Sequence, residues 1–326
     1  MSAIGIHPRR TASIPETSDW GIALAVAAAL ISGLAIYLNA FAVKQLPDAA
    51  VFTTVKNGVA AAVLVMGSLT VGGARDLRAI DRRQWPAVLA VAVVGGSVPF
   101  VLFFTGLAAA SAPSAAFVQK TLFIWVALLA VPFLREALGI ATVSGLALLV
   151  IGQTLVLPPD GLVWGSDETL ILAATLLWAV ETVLVRRLLA GIPSHAMAAL
   201  RMALGLPILA AYLVIAGKAE SVARLTPGQW AWTLLTGLIL AAYVATWFAA
   251  LKRAPASVVT SVLVVGVVAT GALNALTRGT APSSTVVAGY LLIVAAAALI
   301  IAWSRSAARR VAGALRRAEP VRARAG

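Results

Sequence analysis

The chain has 326 residues, 61% of them hydrophobic and only 11% charged, with a formal net charge of +13. A water-soluble fold of this length could not bury so much apolar surface, so lipid is the expected solvent for most of it. There is no cysteine, which excludes disulfides, thiolate nucleophiles and cysteine metal sites, and the two histidines, His7 and His195, lie outside the long apolar runs and give no basis for a metal or catalytic site.

Ten apolar runs follow one another, each close to the ~20 residues a helix needs to cross the hydrocarbon core. Period-two alternation is absent and open strands cannot span lipid, so all ten are expected to be helices. The first, 20–41, is too long for a signal-peptide core, follows Glu16, and carries Ser32 and Asn39. The second, 50–71, contains Lys56 and Asn57. The third, 85–107, is interrupted by "VVGGSVPF", where Gly95, Gly96 and Pro99 are expected to form a bend, either a gating hinge or a packing kink. The fourth, 112–134, contains Gln119 and Lys120, and a lysine at the centre of a span costs about 3 kcal/mol on insertion scales. The fifth is 137–157. The stretch "PPDGLVWG" (158–165) then reads as a linker. The sixth run, 169–185, places Trp178 and Glu181 on one helical face. The seventh, 197–216, contains Arg201, and the eighth, 230–251, carries Tyr243 and Trp247 four residues apart. The ninth and tenth are 258–276 and 285–303. Trp20, Trp85, Trp230 and Trp303 sit at run ends, as interfacial anchors do.

Loop charges give the orientation. With the N-terminus inside, 18 basic residues fall in inside segments, seven of them arginines of the tail, and four fall outside: Lys44, Lys218, Arg224 and Arg278. Both termini are therefore expected in the cytoplasm. The positive charge belongs to topology, and the basic tail to anionic lipid headgroups, not to nucleic acid.

The chain also repeats. "VLFFTGLAAASAPSA" (101–115) matches "ATWFAALKRAPASVV" (245–259) at an offset of 144, with Phe104 on Phe248 and Leu107 on Leu251, and Lys56 matches Arg201 at 145. Five spans is an odd number, so the second copy enters the membrane from the opposite side. The expected architecture is an all-α membrane protein of ten transmembrane helices as two inverted five-helix repeats. Its parts are an N-terminal tail (1–18), a first repeat (19–157), the linker (158–165), a second repeat (166–304) and a basic tail (305–326).

Four stretches carry a resemblance to a known family: "ISGLAIYLNAFAV" (31–43), "VFTTVKNGVAA" (51–61), "FVQKTLFIWVALLAVPFLRE" (117–136) and "LLWAVETVLVRRLL" (176–189). In this order and spacing the chain resembles the EamA-type members of the drug/metabolite transporter superfamily. The resemblance implies ten helices in two repeats and a secondary transporter of metabolites, amino acids or drugs in the cell membrane. The second half departs from the pattern, reading "ALTRGT" (275–280) where the first half has "FLRE", with no acid after the arginine.

The helix rise puts Lys56 and Lys120 each about 12 Å below the outer face, at one level. Lys120 is expected to line a cavity between the repeats and attract an anionic group, with Lys56, Asn57, Gln119, Asn39, Trp178, Tyr243 and Trp247 as further lining. Glu181 and Arg201 are expected as a charge pair or coupling site, with the pair favoured and transport continuing without a proton gradient. No cofactor, metal or nucleic acid is expected; the partners are a small-molecule substrate and the bilayer, with the chain a monomer or homodimer. The competing readings are an enzyme acting on a lipid or isoprenoid phosphate, which would need clustered carboxylates or histidines, and a structural subunit, which leaves the internal charges unexplained.

Overall fold

The computed structural model describes residues 18–78, 80–110, 112–157 and 164–322. The N-terminal tail, with His7 and the Arg9–Arg10 pair, and residues 158–163 of the expected linker lie outside them. Among the described residues the fold is helical throughout: α1 (Asp19–Gln45), α2 (Ala49–Val71), α3 (Gly73–Arg78), a 3-10 turn (Arg82–Gln84), α4 (Trp85–Val94), α5 (Val98–Ala109), α6 (Ala112–Lys120), α7 (Leu122–Leu134), α8 (Ile140–Val156), α9 (Ser166–Leu188), α10 (Ser194–Ile215), α11 (Glu220–Ala223), α12 (Pro227–Arg253), α13 (Ala256–Leu263), α14 (Gly266–Arg278) and α15 (Ser284–Arg322). Nine stretches among them are long and apolar enough to cross a membrane, and α8 is a shorter apolar helix.

Helix starts follow local chemistry. The Ser18 hydroxyl accepts the Gly21 N–H at 3.0 Å, and the Asp48 carboxylate accepts the Ala50 N–H at 2.7 Å. Thr226 and Gln229 close a reciprocal cap at the start of α12. Asp48 also pairs with Lys218 of the α10–α11 loop at 2.6 Å. Burial alone would raise the Asp48 carboxyl, but the hydrogen bonds from Lys218 and Ala50 outweigh it and hold the carboxyl below its ordinary value, while the same contact raises Lys218.

Three spans are broken rather than continuous. The expected bend at "VVGGSVPF" is a break between α4 and α5. Pro99 sits at the second position of α5 and has no N–H to offer the Gly95 carbonyl four residues back, so the proline as well as the glycines makes the interruption. The fourth span, expected as one helix, breaks at Thr121 into α6 and α7. The ninth breaks at Val264–Val265 into α13 and α14. Around both of these breaks the chain tightens to three-residue hydrogen bonds, Thr121 N–H to the Val118 carbonyl at 3.1 Å and Val265 N–H to the Val262 carbonyl at 3.0 Å.

Packing obeys the repeat. Exchanging each span for the one five places on maps α1·α12 onto α9 with α4 and α5, α2·α12 onto α10·α4, and α1 with α13 and α14 onto α9 with α6 and α7. The pairs α2·α10, α7·α13 and α8·α15 map onto themselves and form the seam between halves. The outer surface is apolar, with Met66, Leu128, Leu238 and Leu291 exposed, while Lys56, Lys120, Glu181 and Arg201 are buried. Polar inside and apolar outside is the arrangement lipid requires.

Close approach at the α4–α5 break depends on glycine. A Cβ on Gly205 of α10 would lie 2.7 Å from the Gly96 carbonyl oxygen, and a Cβ on Gly95 would overlap the Glu181 carboxylate. Gly67 of α2 faces open space. Gly205→Val is expected to lower the melting temperature in detergent by an amount equivalent to about 1–3 kcal/mol of overpacking, with Gly67→Ala unchanged or slightly raised. Melts followed by circular dichroism, side by side, measure it.

Candidate functional site

Two polar centres lie inside the bundle. The first is built on the α4–α5 break. Gly95 at the end of α4 has a carbonyl with no helical partner ahead of it. The Arg201 guanidinium of α10 donates to that oxygen at 2.8 Å, and the Trp178 indole N–H of α9 donates to it at 3.3 Å. The same guanidinium forms a two-point ion pair with Glu181 of α9, through Nε to Oε1 and through a second nitrogen to Oε2 at 3.2 Å. Glu181 and Arg201 are 4% and 5% exposed. One planar group thus ties three spans and both repeats together, a task its fork geometry suits and a lysine's point charge does not.

Aromatic rings enclose this pair. Arg201 lies 5.4 Å from the Phe100 ring and 5.9 Å from the Phe248 ring. Phe100 meets Trp178 edge-on at 5.5 Å. Tyr243 and Trp247 stack on one another at 6.0 Å, with Tyr243 within electrostatic reach of Glu181 and Arg201.

Lys56 is placed differently from the expectation that it shares a cavity with Lys120. Its ammonium, on a side chain 2% exposed, lies over Phe104 at 4.3 Å, Phe52 at 4.7 Å and Phe100 at 6.0 Å. The contacts are ring faces, which attract a cation through the aromatic quadrupole. Asn57 turns its amide back onto the Thr53 carbonyl at 2.7 Å. Asn39 of α1 is half-buried, with its side-chain oxygen unpartnered among the described residues.

The second centre lies where the two broken spans of the seam meet. A small cavity there is lined by Gln119, Lys120, Leu122 and Phe123 from the first repeat and Thr260, Leu263 and Val264 from the second. It has room for about one water. Lys120 is 4% exposed, and its ammonium has no hydrogen-bond partner among the described residues. The break helps hold the charge, because Lys120 ends α6 and sits at the negative end of that helix's dipole.

Several contributors were not singled out in the sequence. Thr260, Leu263 and Val264 line the cavity from the second half; the signal was the pairing of spans 4 and 9 by the repeat. Phe52, Phe100 and Phe104 enclose the Lys56 ammonium; Phe52 lies four residues before Lys56, and Phe100 four before Phe104, which are facing positions on a helix. Glu136 was quoted only as the end of a motif. Its carboxylate accepts the Ala256 N–H at 2.6 Å and the Ser257 N–H and hydroxyl at 3.0 and 2.6 Å, so it caps α13 in the other repeat. A left-handed turn at Arg135 (φ 56°) swings it there.

A ten-span helical bundle in two repeats, with discontinuous helices meeting at its seam, defines a class of membrane transport protein. The sequence profile of the EamA-like transporter family matches residues 19–157 and 166–302, one repeat each, and the chain belongs to that family. It is a multi-pass membrane protein. A solved crystal structure resembles it with a TM-score of 0.70 at 18% identity, over 86% of this chain and 98% of that one, a likeness that speaks for the fold. No curated relative matches the chain.

The two-point pair gives a stability prediction. Glu181→Gln strands the Arg201 charge and is expected to cost about 3–5 kcal/mol, seen as a lowered detergent melting temperature or loss of expression. Glu181→Gln combined with Arg201→Met is expected to recover part of that loss. A double-mutant cycle of melting temperatures measures the coupling.

Proposed function

We propose that the chain is a secondary transporter of a small metabolite, such as an amino acid or another carboxylate-bearing compound, and that it works by alternating access through the seam between the repeats. The observation that carries this reading is Lys120: a buried ammonium with no hydrogen-bond partner among the described residues, at the meeting point of two broken helices from opposite repeats. A lone cation in a low-dielectric interior is costly unless its site is filled or wetted during the working cycle. Helix breaks at a repeat interface supply freed backbone groups and allow rearrangement.

The inner end bears contacts that alternating access would have to break. Glu136 caps α13 across the repeats. The Arg187 guanidinium donates to the Phe133 carbonyl, through Nε at 2.9 Å and through a second nitrogen. Ser18 N–H donates to the Arg253 carbonyl at 3.2 Å. The pairing of Glu181 with Arg201 argues against a proton carried on that carboxylate, so transport is expected to persist when the proton gradient is collapsed.

Flux of a panel of amino acids, organic acids and amines into liposomes bearing the purified protein tests the reading, and absence of flux for every solute would refute it. Lys120→Ala is expected to reduce transport at least ten-fold with a melting temperature near that of the parent. Arg201→Lys is expected to act mainly on stability, because it loses the two-point fork. Cysteines placed at Ser2 and Ser166 should react with an impermeant thiol reagent from opposite faces; reaction from the same face would refute the ten-span topology.

A further inference from the structure

Resting on that transport reading, we infer that the ligand seated at the α6–α7 and α13–α14 breaks is a monoanion with a compact apolar body, an organic monocarboxylate rather than a zwitterionic amino acid or a dianion. The charges available at the site argue for it. Lys120 supplies one ammonium, and Gln119 and Thr260 are the other polar side chains of the lining; Leu122, Phe123, Leu263 and Val264 make up the rest. A carboxylate there would meet the cation, and an aliphatic or small aromatic body would meet apolar walls.

An amino acid carries an ammonium as well as a carboxylate, and a buried ammonium needs an acceptor of its own. Among the described residues no carboxylate lines this cavity. Two acids that join the repeats are committed: Glu181 to Arg201, which also holds Gly95, and Glu136 to the N-terminus of α13. The Thr260 hydroxyl already donates to the Ala256 carbonyl at 2.9 Å. A second positive charge at the site would therefore stand beside Lys120 with nothing to balance it.

A dianion such as phosphate meets the opposite shortage. Lys56 is the other buried lysine, but its ammonium is enclosed by Phe52, Phe100 and Phe104 and its side chain does not line the cavity. Arg201 is occupied by Glu181 and the Gly95 carbonyl. One ammonium offsets one negative charge, and a second would remain unpaired in an apolar enclosure.

The test compares three solutes on the full-length protein in liposomes, measured as counterflow of radiolabelled 3-methyl-2-oxobutanoate, valine or inorganic phosphate, each against protein-free liposomes. The first two share a carboxylate and a branched apolar body, and differ in a keto group against an ammonium. Saturable counterflow of the oxoacid at least ten-fold above valine and phosphate is expected, falling to background in Lys120→Gln and partly retained in Lys120→Arg. The solute comparison needs no variant, so it decides the matter even where Lys120→Gln fails to fold. Valine or phosphate carried at or above the oxoacid overturns the monoanion inference and leaves the transport reading standing. No flux of any of the three overturns the inference as well, and the transport reading falls with it only where the wider solute panel also gives none.

Discussion

The Arg201 guanidinium is the constraint on which the interior depends. It satisfies the Gly95 carbonyl, pairs with Glu181 and lies between the rings of Phe100 and Phe248. In lipid a free carbonyl costs several kcal/mol, and so does an unpaired carboxylate. The α4–α5 break and the buried acid are each unfavourable alone. One five-donor group resolves both, and that is why the break, the acid and the arginine, from three different spans, occur together. Arg201 and Glu181 belong to the second repeat and Gly95 to the first, so the cluster also fixes how the halves meet.

The repeat explains where Lys56 came from and why its surroundings differ. Lys56 and Arg201 correspond at an offset of 145, and Phe104 and Phe248 at 144. Each cation lies over the phenylalanine of its own half, at 4.3 Å for Lys56 and 5.9 Å for Arg201. The element missing from the first half is the acid. The position matching Glu181 falls near Ile36–Tyr37 of α1, where no carboxylate stands. Without a carboxylate to satisfy, the first half needs no fork: a lysine serves, and three aromatic faces replace the counter-ion. The same divergence runs the other way at the helix ends. The first half keeps Glu136, which caps α13, while "ALTRGT" offers no equivalent carboxylate to α6. The two faces of the membrane are therefore closed by different chemistry within one symmetric frame.

The architecture was legible in the sequence because its causes are local or periodic. Twenty-residue apolar runs, loop charges and a 144-residue offset need no three-dimensional knowledge. The site was legible only in part. Lys120 drew notice because a charge in a span is costly wherever it points. That Lys56 would face rings and Lys120 a cavity depends on side-chain direction about two helices with the same depth, which spacing does not encode. Pro99 could be read, because a proline anywhere in an apolar run leaves the carbonyl four residues before it, here Gly95, without a helical donor. Glu136 was hidden because its partners, Ala256 and Ser257, lie 120 and 121 residues away.

On the proposed transport reading, the two broken spans of the seam separate binding from scaffolding. Around Arg201 every charge has a partner and the helices on either side approach through glycine, an arrangement in which small movements are penalised at once. At Lys120 the ammonium has no hydrogen-bond partner among the described residues, the backbone tightens to three-residue hydrogen bonds at Thr121 and Val264–Val265, and the lining comes from both repeats. In the proposed cycle, an anion at Lys120 would stabilise whichever arrangement of the halves holds it best, and only a difference in that affinity between arrangements can drive them from one to the other. Under the proposed mechanism that difference would arise at Lys120, because Arg201 is already paired with Glu181.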